Sequence, residues 1–108
     1  DSARQVLAAS ALARGDLTAA EAELGRLDPA TRRGEAALVL EGTIRLGRAD
    51  FPGGRESFEA ALRAAPDSVS ARAGLARALA GGGDAAGAER LWAEILRREP
   101  TNNEALAA

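Results

Sequence analysis

The side chains that usually carry enzyme chemistry are largely missing from this sequence. Its 108 residues include no His, Cys, Lys or Tyr, which removes the commonest general bases, soft metal ligands and covalent nucleophiles. Two carboxylate pairs, Glu21 with Glu23 and Glu56 with Glu59, lie in segments with helical spacing. A glycosidase would need two carboxylates that face each other across a pocket. We therefore interpret these pairs as solvated surface and predict that this chain is not an enzyme.

A glycine-rich segment at residues 81–87, GGGDAAG, superficially resembles a phosphate-binding loop. It lacks the Lys and the Ser or Thr of a P-loop, and a dinucleotide-binding fingerprint should follow a strand, whereas this segment follows a helical pattern. No Asp-rich loop has the spacing of a calcium site. We interpret the glycines as a turn between two helices and expect neither a cofactor nor a metal.

Charge and composition also restrict the partners. The net charge is −2, whereas a general nucleic-acid binder needs a basic face, so we expect no nucleic acid. No apolar run is long enough to span a membrane, so no membrane insertion is expected. The absence of Cys leaves the compartment open between cytoplasm and periplasm. All 14 positive charges are Arg and the chain starts at Asp1 without Met, which favours a fragment of a longer bacterial protein.

Apolar residues recur at helical spacing along the whole chain, with Gly, Pro and Asp between the runs. Most are Ala and Leu, which favour helices. The pattern predicts six helices and the start of a seventh, at about residues 2–13, 17–27, 35–46, 51–64, 69–80, 84–99 and 103–108. Asp28 and Pro29 resemble an N-cap followed by a first-turn proline, and residues 31–34 are predicted to be an irregular connection. Such short connections make successive helices pack antiparallel.

The predicted helices repeat with a period of 34 residues. An acidic residue follows the turn inside each helix pair, at Asp16, Asp50 and Asp84. Small residues and large apolar residues recur at the same period, at Ala8, Gly42 and Ala76, at Ala20, Gly54 and Ala88, and at Leu24, Phe58 and Trp92. Because one short helix pair cannot bury its own apolar face, the pairs should stack. We predict a single domain with repeats at about residues 1–34, 35–68 and 69–102, and a further helix beginning at 103–108.

This joint pattern resembles the tetratricopeptide repeat family over essentially the whole chain. The resemblance implies an all-α fold, a right-handed superhelical solenoid of antiparallel helix pairs. Two features depart from the family pattern. Pro29 interrupts the first repeat, and Glu41 and Arg45 occupy positions where the family usually has buried apolar residues. Either this pair lies at a partly open interface or its helix is shifted by two residues; we prefer the alignment without a gap.

The resemblance also implies a function. Members of the family bind extended or helical peptides of partner proteins in a concave groove lined by the first helix of each pair, so we expect a protein–protein interaction module. Carried over without gaps, the groove would be lined by Gln5, Ala9, Leu12, Val39, Thr43, Leu46, Ala73 and Arg77. We expect Arg77 to meet an acidic or terminal group of the partner. The absence of Lys disfavours a clamp for a chaperone's C-terminal carboxylate.

The alternative is a structural role, as an assembly segment of a longer scaffold. Terminal repeats normally carry a polar outer face, yet the last complete repeat is expected to leave apolar residues for the next helix to cover. We predict an assembly surface at the C-terminal end that is formed by Leu91, Ile95 and Leu106. Further helices of the protein or a second copy of the chain, which would make a homo-oligomer, would cover it. Trp92 is interpreted as a packing residue.

Overall fold

The computed structural model describes residues 2–101 and residue 106, and within these residues the secondary structure is entirely helical. This part of the chain forms seven helices: α1 (Ser2–Ala13), α2 (Leu17–Gly25), α3 (Pro29–Arg32), α4 (Glu35–Gly47), α5 (Phe51–Ala64), α6 (Val69–Gly81) and α7 (Ala85–Arg98). The all-α prediction is thereby confirmed. The helix predicted at 103–108 lies outside the described residues, except for Leu106.

Three turns of the same construction join α1 to α2, α4 to α5 and α6 to α7. One residue of each turn has a positive φ, namely Gly15 (78°), Ala49 (62°) and Gly83 (97°). The next residue is the aspartate N-cap of the following helix, whose carboxylate accepts a hydrogen bond from the backbone three residues on. The backbone N–H of the same aspartate donates to the carbonyl five residues earlier. These bonds satisfy groups that a helix end leaves unpaired.

The short helix α3 occupies residues for which the sequence predicts a partly irregular connection, and α2 ends at Gly25 rather than at residue 27. The carboxylate of Asp28 accepts hydrogen bonds from the backbone N–H and the hydroxyl of Thr31, at 2.9 and 2.8 Å. Pro29 fits the first helical position because its fixed φ is helical and its missing N–H would be unpaired there anyway. The cap and the proline together therefore start a separate turn of helix.

Phe58 is the central packing residue of the fold. Its ring is fully buried and lies against glycines of two different helices, Gly42 in α4 and Gly74 in α6. A Cβ at Gly42 would stand 2.7 Å from the Phe58 ring, so α4 can approach α5 only because the side chain is absent. Gly54 of α5 makes a similar but looser approach to α4, because a Cβ there would stand 3.1 Å from the Leu46 side chain. These contacts hold α4, α5 and α6 together.

The position of α4 confirms the alignment without a gap. Gly42 meets Phe58 and Ala49 adopts the turn conformation of Gly15 and Gly83, as a strict period of 34 requires. Glu41 and Arg45 pair at 3.2 Å with side chains 31% and 38% exposed, so they lie at a partly open interface. Both side chains also bond to α5, which explains why polar residues are tolerated there.

Candidate protein-binding face

A shallow concavity of about 430 Å³ opens across α1, α4 and α6. Three of the predicted groove residues are part of it: Gln5 and Ala9 of α1, and Val39 of α4. The remaining lining residues are Val6, Glu35, Ala36, Leu40 and Ser70. We call this surface the α1–α4–α6 face. It brings together the first helices of all three predicted pairs.

The lining of the α1–α4–α6 face is mainly apolar, with a fixed carboxylate at one side. Val6 is 63% exposed, and Ala9 and Ala36 are also exposed. Glu35 accepts a hydrogen bond of 2.7 Å from the hydroxyl of Ser68. The same hydroxyl accepts the backbone N–H of Ala71 as the cap of α6, so it orients the Glu35 carboxylate. Small exposed side chains beside apolar ones suit close approach by the backbone of another chain.

The other predicted groove residues do not line this concavity, and the reasons differ. Leu12 is partly buried against the core of the first helix pair, and Leu46 packs against Gly54. The hydroxyl of Thr43 donates to the carbonyl of Val39, 2.8 Å away in its own helix. Arg77 is exposed but lies outside the concavity.

Assigning Ala73 to the groove was wrong. This residue is only 6% exposed and packs in a buried cluster with Ile95, against Val69, Trp92 and Leu96. The reason is that α6 contacts three helices, α4, α5 and α7. These contacts cover part of the surface of α6 that the sequence analysis assigned to the groove. Sequence reasoning instead missed Val6 and Ala36, which a wider stripe on α1 and α4 would have included.

Ile95 was also wrongly assigned, because the predicted assembly surface needs an exposed side chain and Ile95 is fully buried between α6 and α7. Leu91 is partly buried, whereas Leu106 is 60% exposed. Trp92 is partly buried and packs against the cluster that contains Ile95, which confirms its interpretation as a packing residue.

Within the part of the chain that the structure describes, no three acidic, His or Cys side chains come together as a metal site would require. In the same residues, no helix has the length and apolarity needed to cross a membrane.

Comparison with protein-family models matches residues 45–108, more than half of the chain, to the tetratricopeptide repeat. Repeats of this family generally mediate protein–protein interactions. No curated protein and no solved structure is significantly similar to the chain. The matched region begins in α4 and includes α5, α6 and α7.

Proposed function

Because the chain belongs to the tetratricopeptide repeat family, we propose that its α1–α4–α6 face binds a segment of a partner protein. The observation that carries the proposal is the concavity of about 430 Å³, which spans three helices and contains Gln5, Ala9 and Val39. The first helices of the three pairs thus contribute to one continuous surface, which is where the family resemblance puts the ligand.

The chemistry of the face defines the segment that fits it. Val6, Val39 and Leu40 offer apolar contacts, and the exposed alanines Ala9 and Ala36 leave room for a main chain. We expect an extended or helical segment with apolar side chains at its contact positions. Burial of such side chains contributes about 25 cal/mol per Å² of apolar surface, so a few of them can supply most of the affinity.

The experiment first captures the partner and then measures its affinity. A photo-crosslinking amino acid at position 36, introduced in the native cell, labels the protein that occupies the face. Affinity is then measured by calorimetry for the wild type and for Ala36→Arg, which puts a long charged side chain into the concavity. We expect Ala36→Arg to weaken binding by about tenfold or more, which corresponds to at least about 1.4 kcal/mol.

The matched control is Ala22→Arg, the same change at an exposed position of α2 away from the concavity. It should leave the affinity unchanged. Equal affinity for wild type, Ala36→Arg and Ala22→Arg would show that the partner binds elsewhere on the molecule.

The second candidate function is assembly through terminal helices, and an exposed patch on α1 favours it. Leu7 and Leu75 are the same residue type, two periods of the repeat apart. Leu7 is 53% exposed whereas Leu75 is 8% exposed, because α5 packs against α6 and no helix of the described chain covers that side of α1. Val6 beside it is 63% exposed. A second copy of the chain could cover these two side chains.

Light scattering over a range of protein concentrations tests this second candidate. Self-association through α1 should raise the mass with concentration in the wild type and should disappear in Leu7→Glu. The control must change an exposed residue outside the patch. Leu38 does not qualify because it is partly buried, so the control is Ala22→Glu, at an exposed position of α2. A wild type that stays monomeric at all concentrations would exclude self-association through this patch.

A further inference from the structure

A second groove lies on the opposite side of α6 from the α1–α4–α6 face. It consists of two adjoining concavities of about 420 and 290 Å³, which share Arg55, Leu79 and Asp84. Successive helical residues are turned by about 100°, so Leu79 points about 180° away from Ser70, which lines the other face. We call this feature, formed by α5, α6 and α7, the outer groove.

The floor of the outer groove is apolar. Leu75 and Leu79, one helical turn apart on α6, lie between Phe51 of α5 and Leu91 of α7. Leu75 is buried and the other three are partly buried. The Phe51 ring rests against Gly81, so the wall of the groove is supported by the α6 backbone. Anchoring side chains of a bound helix, spaced three or four residues apart, would fit along such a floor.

In the preceding helix pair, α4 and α5, polar side chains occupy the positions equivalent to the floor of the outer groove. The residues 34 positions before Leu75, Leu79 and Leu91 are Glu41, Arg45 and Ser57. Ser57 donates to Glu41 at 3.0 Å, and Arg45 pairs with Glu41 at 3.2 Å. The concavity at that place is smaller, about 190 Å³. The chain therefore narrows one such position with its own hydrogen-bonded side chains and leaves the next one wider, with an apolar floor.

Carboxylates dominate the rim of the outer groove. Its larger part is lined by Glu56, Glu59 and Asp84, against the single cation Arg55. Arg55 pairs with Glu59 at 3.3 Å. In the smaller part Glu94 pairs with Arg72 at 3.5 Å, and Arg90 is an exposed cation. Glu56 and Asp84 therefore outnumber Arg90, and the rim keeps an excess of negative charge. Opposite charges on a ligand speed its encounter with such a surface, and ligands of the wrong charge are disfavoured.

We propose that the outer groove binds an amphipathic helix of a partner protein that has leucine-type anchors on one face and Lys or Arg beside them. The anchors contact Leu79, Leu91 and Phe51, and the basic side chains face Glu56 and Asp84. This site is separate from the α1–α4–α6 face, so one chain binds two segments at once. Binding in the outer groove does not depend on the function assigned to that face.

The test uses two synthetic helical peptides of about 15 residues, a length at which an isolated helix is marginally stable. Both have leucines at helical spacing; one has lysines at the flanking positions and the other glutamates. Binding to the 108-residue chain is followed by backbone amide shifts in NMR. We expect the lysine peptide to shift the amides around Leu79, Leu91 and Glu56 and to bind at least about tenfold more tightly than the glutamate peptide.

Two variants distinguish binding in the outer groove from non-specific association of the peptide with the surface. Leu75→Glu, Leu79→Arg and Leu91→Ser combined would transplant the polar set of the preceding pair, and should abolish binding of the lysine peptide. Glu56→Lys changes an exposed residue without touching the floor, so it retains the fold even if the triple variant does not, and it should weaken binding several-fold. Ala36→Arg, in the other face, should have no effect.

Three results would overturn the proposal. These are equal affinity for the two peptides, shifts centred on Val39 and Ala9 in place of the outer groove, and unchanged binding in Glu56→Lys. If the proposal for the outer groove fails, the proposal for the α1–α4–α6 face is not affected, because it is tested with a different ligand and a different variant.

Discussion

At the scale of single residues, the three turns that join α1 to α2, α4 to α5 and α6 to α7 differ in one position. Gly15 and Gly83 take a positive φ without steric cost, whereas Ala49 takes φ 62° with a Cβ. For residues other than glycine this conformation costs about 1–2 kcal/mol. Part of that cost is offset because glycine has more freedom to lose when the chain folds. Ala49 is therefore a local weakness at an otherwise regular turn.

Replacing this alanine should stabilise the protein. We expect Ala49→Gly to raise the free energy of unfolding by about 0.5–1 kcal/mol, the balance of the two effects, as measured by urea denaturation. The reciprocal control is Gly15→Ala, where an added Cβ would meet no atom within 4 Å, so its loss of stability reports the backbone strain alone. A less stable Ala49→Gly would contradict the strain assigned to this turn.

Asp28 makes the start of α3 sensitive to acid. The backbone N–H of Thr31, and then its hydroxyl, hold the pKa of the Asp28 carboxyl below its ordinary value of 3.8. Because the folded pKa is lowered, the stabilisation is fully present above pH 3.8 and is lost as the pH falls through the folded pKa. A carbon NMR titration should place the midpoint of Asp28 below 3.8. Thr31→Ala should raise this midpoint only part of the way to 3.8, because the hydrogen bond from the backbone N–H of residue 31 remains. An unchanged midpoint would contradict the role of the hydroxyl.

At the scale of helices, close packing depends on glycines that meet the Phe58 ring. A Cβ at Gly74 would overlap that ring, so Gly74→Ala should lower the free energy of unfolding by about 1–3 kcal/mol through overpacking. Gly25→Ala is the matched control, because a Cβ there meets nothing within 4 Å. It should be neutral or slightly stabilising, since alanine favours helix over glycine.

A double-mutant cycle tests whether Phe58 is the cause. In the Phe58→Leu background the smaller side chain makes room, so Gly74→Ala should cost much less than in the wild type. Equal costs in both backgrounds, measured by thermal unfolding, would mean that Gly74 is required for some other reason.

Most helices were predictable because the residues at their ends act through hydrogen bonds and backbone conformations that involve only neighbouring residues. The Asp N-caps and the turns before them recur at the period of the repeat, and these features do not depend on distant contacts. The helix α3 was missed because four residues, Pro29–Arg32, are too few for an apolar period to appear. Its cap at Asp28 was nevertheless recognisable.

At the scale of the whole molecule, the set of residues that line the α1–α4–α6 face was only partly predictable. Stripes on α1 and α4 correctly predicted that Gln5, Ala9 and Val39 share a surface. How deeply each side chain is buried depends on which neighbouring helices cover it. The apolar stripe of one helix carries no information about those neighbours. Ala73 and Ile95 are buried together because α6 and α7 pack closely, whereas their stripes alone predict that both are available to a partner.

Binding of the partner at the α1–α4–α6 face is tested most directly by hydrogen–deuterium exchange on the complex. We predict that the partner slows exchange of amides in residues 5–12 and 35–43, with little change in α2. The side chains at these positions would be covered while the helices stay folded. Protection confined to α2 and α5, with residues 35–43 unchanged, would contradict binding at this face.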